Sequence, residues 1–475
     1  MARLHYGILQ LIFYACLLNT SRAFTIPLHG PSNIIRSTHH SFAKRQPGGL
    51  QLNNTYDISY YADIVLGNQT FTVLVDTGSS DLWVAGSVRG SNDTGYNATI
   101  NYATETVKGP IKRTTLQFAD YETTDQVFLE ISPSEQNPEG CGIIGLGPSS
   151  GSFISKALPA DEGLPVLDHL FMQNRTTPNY FTLLLGRASD PTDNYNGSIT
   201  VGTILPEYTS IMDEQKLLMT TVPHTKASDQ HLQILLDSDG LIGPDGKAIK
   251  IETSVETTSD KSQATVVLDS GFTLPQLPRE IVDAIYGRFH DSEYRRIPGI
   301  GGAYVLPCAQ EINITFNFAG KPYPIHPLDM TLDPSRINLD DMRTSKGEKA
   351  CLGTFQPFTY DRGPSPSYDM VLGMAFLRNV YTLFDYGDFV KNSTDVAQSY
   401  IKLLSTTNRT EAHRDFVQVR LDGVDTTSSR TLKASSSGSS SRNTIIYIVI
   451  GVVVGSILCA VAIYLLHRSS RRRHH

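Results

Sequence analysis

Residues 73–80 read VLVDTGSS, an apolar, largely β-branched run that ends in an Asp-Thr-Gly turn. Residues 266–273 read VVLDSGFT, so the same kind of run and nearly the same turn recur later in the chain. Glycine permits a sharp turn directly after a strand, and the neighbouring hydroxyl groups can hydrogen-bond a carboxylate and fix its orientation. The sequence therefore predicts two matched loops, one carrying Asp76 and the other Asp269.

Two such loops predict a specific chemistry if they face each other. Asp76 and Asp269 would then lie side by side and share one proton, because two adjacent carboxyl groups cannot both ionise easily. The ionised member can take a proton from a water that attacks an amide carbonyl, while the protonated member polarises that carbonyl. A single Asp-Thr-Gly is also an ordinary turn signal, so the prediction depends on the pair.

The sequence resembles the pepsin-like aspartic peptidases over about residues 55–405. Residues 76–84 (DTGSSDLWV) and 269–273 (DSGFT) are similar to the two catalytic motifs of that family. The segments that follow them in each half, IIGLG at 143–147 and VLG at 371–373, are similar to its apolar-Gly segments. Residues 376–385 are similar to its closing strands.

This resemblance implies a mostly β, bilobal fold with two related lobes and the active site between them. It also implies that Asp76 and Asp269 are catalytic. By the same resemblance, Ser79 and Thr273 orient the two carboxyl groups, and Gly78 and Gly271 belong to the substrate site.

Residues 100–109 are similar to the hairpin that closes over substrate in this family, the flap. The resemblance implies that Tyr102 covers the site, that its hydroxyl reaches the indole of Trp83, and that Thr104 contacts substrate. Ala103 and Glu105 stand where the family often has glycine, which predicts a stiffer and more acidic tip. An ordinary cross-strand aromatic is the alternative interpretation of Tyr102.

Alternating apolar residues predict a hairpin through residues 56–75, with its turn at Gly67-Asn68. Residues 278–286 begin with proline and have helical apolar spacing, which predicts a short helix. The expected lobes span residues 46–205 and 206–406.

The first 45 residues have the pattern of a secretory leader. Residues 1–23 combine Arg3, an apolar run and small residues near position 23, which is typical of a signal peptide. Residues 24–45 contain no Asp or Glu and end in Lys44-Arg45. A basic segment before an acidic enzyme can pair with its carboxylates, so these residues are interpreted as a propeptide. A disordered leader with chance basic residues is the alternative.

The C-terminal residues predict a membrane tether. Residues 407–443 are rich in Ser and Thr and are interpreted as a stalk. Residues 444–466 are almost uninterrupted apolar residues, long enough to span a bilayer as one helix, and 467–475 form a basic cytoplasmic tail. The predicted topology is a single-pass type I membrane protein of the secretory pathway, similar to the yapsin-like members of the family.

The net charge of the chain limits the kinds of molecule that it is expected to bind. The whole chain has a formal net charge of −7, but residues 46–406 contain 25 basic and 43 acidic residues. An acidic body without a basic stripe argues against nucleic acid as a partner and is compatible with work in acid. The expected partners are polypeptide substrates, the expected state is a monomer, and no metal-ligand cluster or cofactor is predicted.

Secretion permits disulfides, and the resemblance implies a bridge between Cys308 and Cys351. Cys141 is then the odd cysteine of the body, interpreted as a buried free thiol rather than a nucleophile. Nine Asn-x-Ser/Thr sequons predict N-glycosylation, at Asn53, Asn68, Asn92, Asn97, Asn174, Asn196, Asn313, Asn392 and Asn408.

Taken together, these features predict an aspartic endopeptidase that is made as a zymogen and tethered to a membrane. The alternative is a glycosylated surface binding or adhesion protein on a catalytically dead protease body. The intact pair of Asp loops favours the first, and the altered flap keeps the second open.

Overall fold

The computed structural model describes residues 49–429, without positions 56, 103–104, 160–161, 189, 192–194, 298–299, 338, 340 and 391–396, and also describes residues 432–433. The predicted signal peptide, propeptide, transmembrane segment and cytoplasmic tail lie outside the described residues. So do Thr104 and Asn392.

The first half of the described chain is dominated by antiparallel hairpins and one long sheet. Its strands are β1 (Gly49–Gln51), β2 (Asn53–Thr55), β3 (Ser59–Leu66), β4 (Gln69–Asp76), β5 (Leu82–Ala85), β6 (Asn92–Asn101), β7 (Thr106–Phe118), β8 (Tyr121–Ile131), β9 (Cys141–Gly145), β10 (Tyr180–Leu185) and β11 (Gly197–Val201). β2 to β9 form an eight-stranded sheet in the order β2-β3-β4-β9-β5-β8-β7-β6.

The second half has shorter strands in several smaller sheets. They are β12 (Leu217–Leu218), β13 (Gln233–Leu235), β14 (Leu241–Ile242), β15 (Thr265–Leu268), β16 (Gln276–Leu277), β17 (Glu293–Ile297), β18 (Gly301–Pro307), β19 (Thr315–Phe318), β20 (Lys321–Pro324), β21 (Thr331–Leu332), β22 (Ala350–Gly353), β23 (Gln356–Pro357), β24 (Met370–Leu372), β25 (Val380–Asp385) and β26 (Tyr400–Ser405).

Helices are few and short. The α-helices are α1 (Phe153–Ala157), α2 (Val166–Gln173), α3 (Arg279–Tyr286), α4 (Met374–Leu377) and α5 (Arg409–Arg420), and the 3-10 segments are Ser149–Gly151, Pro206–Asp213, His224–Asp229, Pro327–Asp329, Pro334–Ile337, Gly387–Phe389 and Thr427–Ser429.

The two halves repeat one strand arrangement around their Asp loops. In the first, β4 pairs in parallel with β9, β9 antiparallel with β5, and β5 in parallel with β8. In the second, β15 pairs in parallel with β24, β24 antiparallel with β16, and β16 in parallel with β23. The duplicated loops in the sequence therefore belong to duplicated folds, and the mostly β, bilobal prediction is confirmed.

A six-stranded sheet joins the halves, in the order β1-β11-β10-β25-β26-β12. Its centre is the pairing of β10 from the first half with β25 from the second. Phe181 and Phe384 stack there, with ring centroids 4.7 Å apart. Of the closing strands predicted at 376–385, residues 376–377 instead end helix α4, and residues 380–385 form β25, which pairs with β10 of the first half.

Two local predictions are confirmed. β3 and β4 form the expected hairpin, and Asn68 adopts a positive φ of 66° in its turn. Helix α3 follows Pro278 and buries Ile281, Val282, Ile285 and Tyr286, the apolar residues whose spacing predicted it.

The prediction of a stalk from residue 407 is wrong at its start. Residues 409–420 form helix α5, and the Asn408 side chain caps it by accepting hydrogen bonds from the backbone N–H groups of Thr410 and Glu411. Only a narrow stripe of this helix is buried, including Ala412 and Phe416. Such a stripe leaves most of the helix polar, so composition alone resembled a linker.

No helix in the described ranges combines the length and the apolar content that crossing a membrane requires.

A buried ion cluster adds a second link between the halves. Both Asp329 oxygens are bound by guanidinium groups: Arg187 Nη2 donates to Oδ2 at 2.5 Å and Arg378 Nε to Oδ1 at 2.6 Å. Arg378 also donates to the carbonyl of Asp57 at 2.8 Å. Burial disfavours the Asp329 charge, but the two arginines outweigh it and lower the pKa of Asp329. The cluster therefore stays ionised in acid.

Asp168, in the first turn of α2, is a buried carboxyl group of the opposite kind. Its side chain is 2% exposed, and Oδ2 has no hydrogen-bond partner among the described residues. Burial raises the pKa of Asp168 to about 7, although a hydrogen bond with Ser149 opposes the shift. Asp168 is thus neutral in acid and becomes an uncompensated buried charge near neutral pH.

We predict that Asp168 makes the protein less stable as the pH rises from about 4 to about 7. Within this window the folded state holds a proton that the unfolded state releases, so the free energy of unfolding falls by about 4 kcal/mol at most. Asp168→Asn should remove much of that loss. Melting temperatures at three pH values test it, with the exposed Asp239→Asn as control. Equal pH slopes in wild type and Asp168→Asn would contradict the prediction.

Candidate active site

The two Asp loops meet across the lobe interface. We call residues 76–80 the first loop and residues 269–273 the second loop. Thr77 Oγ1 donates to the carbonyl of Leu268 at 2.9 Å and accepts from the N–H of Ser270 at 2.9 Å. Ser270 Oγ donates to the carbonyl of Val75 at 2.8 Å and accepts from the N–H of Thr77 at 3.1 Å. Each hydroxyl therefore clamps the backbone of the opposite loop.

The sequence suggested that hydroxyl groups in these turns hold carboxylates. Thr77 and Ser270 instead hold main chain, and both are completely buried. The sequence analysis missed that each of these two hydroxyl groups binds the backbone of the opposite loop. The hydroxyl residue in the middle of each Asp-(Thr/Ser)-Gly triplet could have indicated this.

The clamp places the two carboxyl groups together. Asp76 and Asp269 are each 6% exposed. Asp76 accepts from the N–H of Gly78 at 2.9 Å and from Ser79 Oγ at 2.5 Å, and Asp269 accepts from the N–H of Gly271 at 2.7 Å. The predicted Ser79 contact is therefore present.

Gly78 and Gly271 allow the close approach. A β-carbon on Gly78 would collide with the carboxyl group of Asp269, and one on Gly271 would collide with that of Asp76. Each carboxyl group thus lies against the glycine of the opposite loop. A larger residue at either position would displace the carboxyl group of the opposite loop.

The pair shares a proton that rests on the second loop. Burial raises the pKa of Asp269 well above its ordinary range, and the charge of Asp76 and a hydrogen bond between the two carboxyl groups raise it further. Asp76 accepts hydrogen bonds from two donors, the N–H of Gly78 and the hydroxyl of Ser79. The arrangement supplies one carboxylate and one carboxylic acid side by side.

The expectation that Thr273 orients a carboxyl group is wrong. Its hydroxyl donates to the carbonyl of Ile58 at 2.7 Å. The position that corresponds to Ser79, three residues after the Asp, is Phe272 in the second loop. No hydroxyl group of the described residues donates to Asp269. Phe272 has no hydroxyl group, and the hydroxyl group of Thr273 donates to Ile58 instead.

Tyr102 contacts Trp83 as the resemblance implied. The indole Nε1–H of Trp83 donates to the Tyr102 hydroxyl at 2.9 Å. β6 and β7 form the hairpin that carries Tyr102, with Ile100 opposite Val107 and Asn101 opposite Thr106. Burial raises the pKa of Tyr102 well above its usual value, and the charge of Asp76 adds to the shift. The flap tyrosine therefore lies near the first loop.

The apolar-Gly segments support the loops from behind. Leu146 N–H donates to the carbonyl of Asp76 at 2.7 Å, and Asp269 N–H donates to the carbonyl of Leu372 at 3.1 Å. Both contacts fix the backbone of a catalytic candidate to a buried strand end.

A sequence profile described as eukaryotic aspartyl protease matches residues 59–398. The chain belongs to this family. It is 26% identical over 381 residues to major aspartyl peptidase 1 of Cryptococcus neoformans, which covers 72% of this chain and 70% of that protein. It is 24% identical over 371 residues to cathepsin D of Rattus norvegicus, covering 72% and 81%.

A solved structure gives the same fold. The aspartic proteinase from Irpex lacteus aligns with a TM-score of 0.53 at 17% identity, covering 77% of this chain and 99% of that one. At this identity the likeness shows the fold alone. The position of each site residue therefore comes from the geometry described above.

The cysteines of this aspartyl protease follow the expectation. Cys308 and Cys351 form a disulfide with their Cα atoms 4.8 Å apart. Cys141 is free and partly buried, and burial raises the pKa of its thiol, which disfavours the reactive thiolate.

Most of the described sequons are accessible. Asn174 is partly buried, and its side-chain amide donates to the carbonyl of Leu170 at 3.2 Å. The exposed ones are Asn53, Asn68, Asn92, Asn97, Asn196, Asn313 and Asn408.

We predict unequal effects of the two loop hydroxyls. Ser79→Ala removes a hydrogen bond to a carboxylate and should lower kcat at least about tenfold. Thr273→Val removes a bond to a carbonyl remote from the pair, and should cost about 1 kcal/mol of stability while kcat stays within about twofold. Steady-state kinetics and melting temperatures of both variants test this. Loss of kcat in Thr273→Val at unchanged stability would contradict the assignment.

Proposed function

We propose that this protein is an aspartic endopeptidase, which hydrolyses peptide bonds with a water activated between Asp76 and Asp269. The observation that carries the proposal is the buried carboxyl pair, which Thr77 and Ser270 hold together across the lobe interface. Membership of the aspartyl protease family supports it.

The proposed mechanism follows from the asymmetry of the pair. Ionised Asp76, held by Gly78 and Ser79, takes a proton from the water as its oxygen attacks the scissile carbonyl carbon. Asp269 donates its proton to the carbonyl oxygen, which gives a neutral tetrahedral diol. As the C–N bond breaks, the proton now on Asp76 passes to the leaving nitrogen, and a diol hydroxyl returns its proton to Asp269. Both carboxyl groups thereby recover their starting states.

The flap excludes water during this sequence. The Trp83 indole holds the Tyr102 hydroxyl, so the ring is already oriented near Asp76 before substrate arrives. A covered site strengthens hydrogen bonds to the charge that develops on the carbonyl oxygen. Glu105 accepts from the Asn137 amide at 3.0 Å, which ties the acidic flap tip to the loop after β8.

A glycosylated binding or adhesion protein on an inactive protease body is the second candidate. The departures of the flap from the family pattern favour it, whereas the intact carboxyl pair favours catalysis. An active peptidase uses the shared proton to cleave peptide bonds in acid, whereas a protein that only binds does not cleave. Proteolysis at acid pH therefore distinguishes the two candidates.

We predict that the processed protein digests a denatured protein between about pH 3 and 6 and is blocked by a pepstatin-like inhibitor. Asp76→Asn and Asp269→Asn should each lower cleavage by about a thousandfold or more, because an amide can neither hold nor donate the shared proton. Exposed Asp239→Asn is the matched control. Absence of wild-type cleavage, or cleavage unaffected by either active-site amide, would favour the binding role.

We further propose a membrane-tethered, yapsin-like enzyme of the secretory pathway. The signal-like residues 1–23, the dibasic pair before residue 46 and the apolar residues 444–466 support this topology. The Cys308–Cys351 disulfide and the exposed sequons suit an oxidising compartment with glycosylation. In this proposal a basic propeptide occupies the acidic body until a kexin-type protease cleaves after Arg45.

We predict that the full chain sediments with membranes and resists alkaline extraction, whereas a chain that ends after residue 433 is released into the medium. The N-terminal sequence of the released protein should begin near Gln46. Full-length protein in the soluble fraction would contradict the tether, and a mature start far from Gln46 would contradict the processing site.

A further inference from the structure

The peptide group that joins Leu146 to Gly147 lies directly against the first loop. Its N–H, which belongs to Gly147, donates to the carbonyl of Ser79 at 2.6 Å. A β-carbon on Gly147 would lie only 2.8 Å from the same carbonyl oxygen, so the two backbones approach closely. Ser79 is the residue whose hydroxyl donates to the Asp76 carboxyl group at 2.5 Å. The backbone position of Ser79 therefore depends on this peptide group.

A residue of the other half binds the opposite end of the same peptide group. The hydroxyl of Tyr386, which directly follows β25, donates to the carbonyl of Leu146. A peptide group is planar, so its carbonyl and its N–H cannot rotate independently. A hydrogen bond that fixes the Leu146 carbonyl therefore also fixes the Gly147 N–H that meets Ser79.

The first half holds the ring of Tyr386 in place. The side chain is completely buried, and the ring packs against Phe171 of α2 and Phe181 of β10, with centroid distances of 5.9 and 6.1 Å. The backbone N–H of Tyr386 donates to the carbonyl of Asn179 at 2.8 Å. A ring with neighbours on several sides keeps its hydroxyl in one orientation, so the contact with Leu146 costs little further side-chain entropy.

The second half supports its own loop without such a contact. Met374 corresponds to Leu146, because each directly follows the apolar-apolar-Gly segment of its half. The Met374 carbonyl accepts from the N–H of Arg378 at 3.0 Å, at the end of helix α4. Leu146 lies instead between β9 and the 3-10 segment Ser149–Gly151, and the donor to its carbonyl is the Tyr386 hydroxyl. A side chain of the second half thus supplies in the first half what a helix supplies in the second.

We propose that Tyr386 is a positioning residue of the catalytic pair, which fixes the Leu146–Gly147 peptide group and through it the orientation of Ser79 toward Asp76. This inference rests on the proposed peptidase function. Misplacement of a catalytic group by about 1 Å can lower a rate about a hundredfold. Loss of the Tyr386 hydroxyl should therefore act on kcat rather than on substrate binding.

The experiment is a double-mutant cycle between Tyr386→Phe and Ser79→Ala, measured by steady-state kinetics on one peptide. Tyr386→Phe keeps the ring between Phe171 and Phe181 but removes the donor, and should lower kcat about tenfold with KM within about threefold. In the Ser79→Ala background the same change should lower kcat less than about twofold, because the hydroxyl that it positions is already absent.

Tyr381→Phe is the matched control. Tyr381 is also completely buried and lies in β25, and its hydroxyl donates to Thr182 Oγ1 at 2.8 Å and accepts from the N–H of Leu205 at 3.0 Å. These partners belong to neither Asp loop, so Tyr381→Phe should keep kcat within about twofold of wild type. Both variants lose one buried hydrogen bond and should lower the melting temperature by similar amounts, which separates stability from positioning.

Phe171→Leu covers the case in which Tyr386→Phe does not fold. It removes one of the two rings that hold Tyr386 while the hydroxyl remains. It should lower kcat about fivefold in the wild-type background and less than about twofold in the Ser79→Ala background.

The inference is overturned if folded Tyr386→Phe keeps kcat within about twofold of wild type, or if Tyr381→Phe loses as much kcat as Tyr386→Phe. It is equally overturned if Tyr386→Phe, or Phe171→Leu in its place, has the same effect on kcat with and without the Ser79 hydroxyl. Each of these results with an active wild type leaves the peptidase function intact. An inactive wild type would reject the function and the inference together.

Discussion

The structure depends on the mutual clamp between Thr77 and Ser270. Two adjacent carboxyl groups repel each other when both are ionised, and burial adds a desolvation cost to each charge. Four hydrogen bonds between hydroxyl groups and the backbone of the opposite loop hold the groups together despite this. Because each hydroxyl belongs to one loop and serves the other, neither half can form the site alone.

The clamp forms only if the two halves are held in the right relative position, and contacts elsewhere in the fold hold them there. The β10–β25 pairing makes the two halves share one sheet, and the ions around Asp329 cross from one half to the other. The ions remain charged in acid because two guanidinium groups outweigh burial. Buried Asp168 is tolerated in acid for the opposite reason, since its carboxyl group is neutral there. Both features suit a body that works at low pH.

Around the two Asp loops the strand topology is duplicated, but the chemistry of the loops is not. Strand pairing around the two loops corresponds strand for strand, yet Ser79 has Phe272 as its counterpart. The first loop can therefore stabilise a carboxylate with a hydroxyl, whereas the second loop offers Asp269 main-chain donors alone among the described residues. This difference is consistent with the raised pKa of Asp269, which favours the proton on the second loop.

Apolar periodicity and turn residues, which are local properties of the chain, determined both acidic loops, the β3–β4 hairpin and helix α3. The resemblance of its motifs to a known family added the fold class and the Tyr102 hairpin. The prediction that Thr273 orients a carboxyl group was wrong, because the direction of a side chain in a turn depends on what packs against it. Helix α5 was interpreted as a stalk, because a narrow buried stripe becomes visible only when its packing partner is known. Only the tertiary structure decided that Thr77 and Ser270 hold backbone and that Arg187 and Arg378 meet at Asp329. These contacts join residues far apart in the chain, and no local pattern records a partner that folding alone brings into reach.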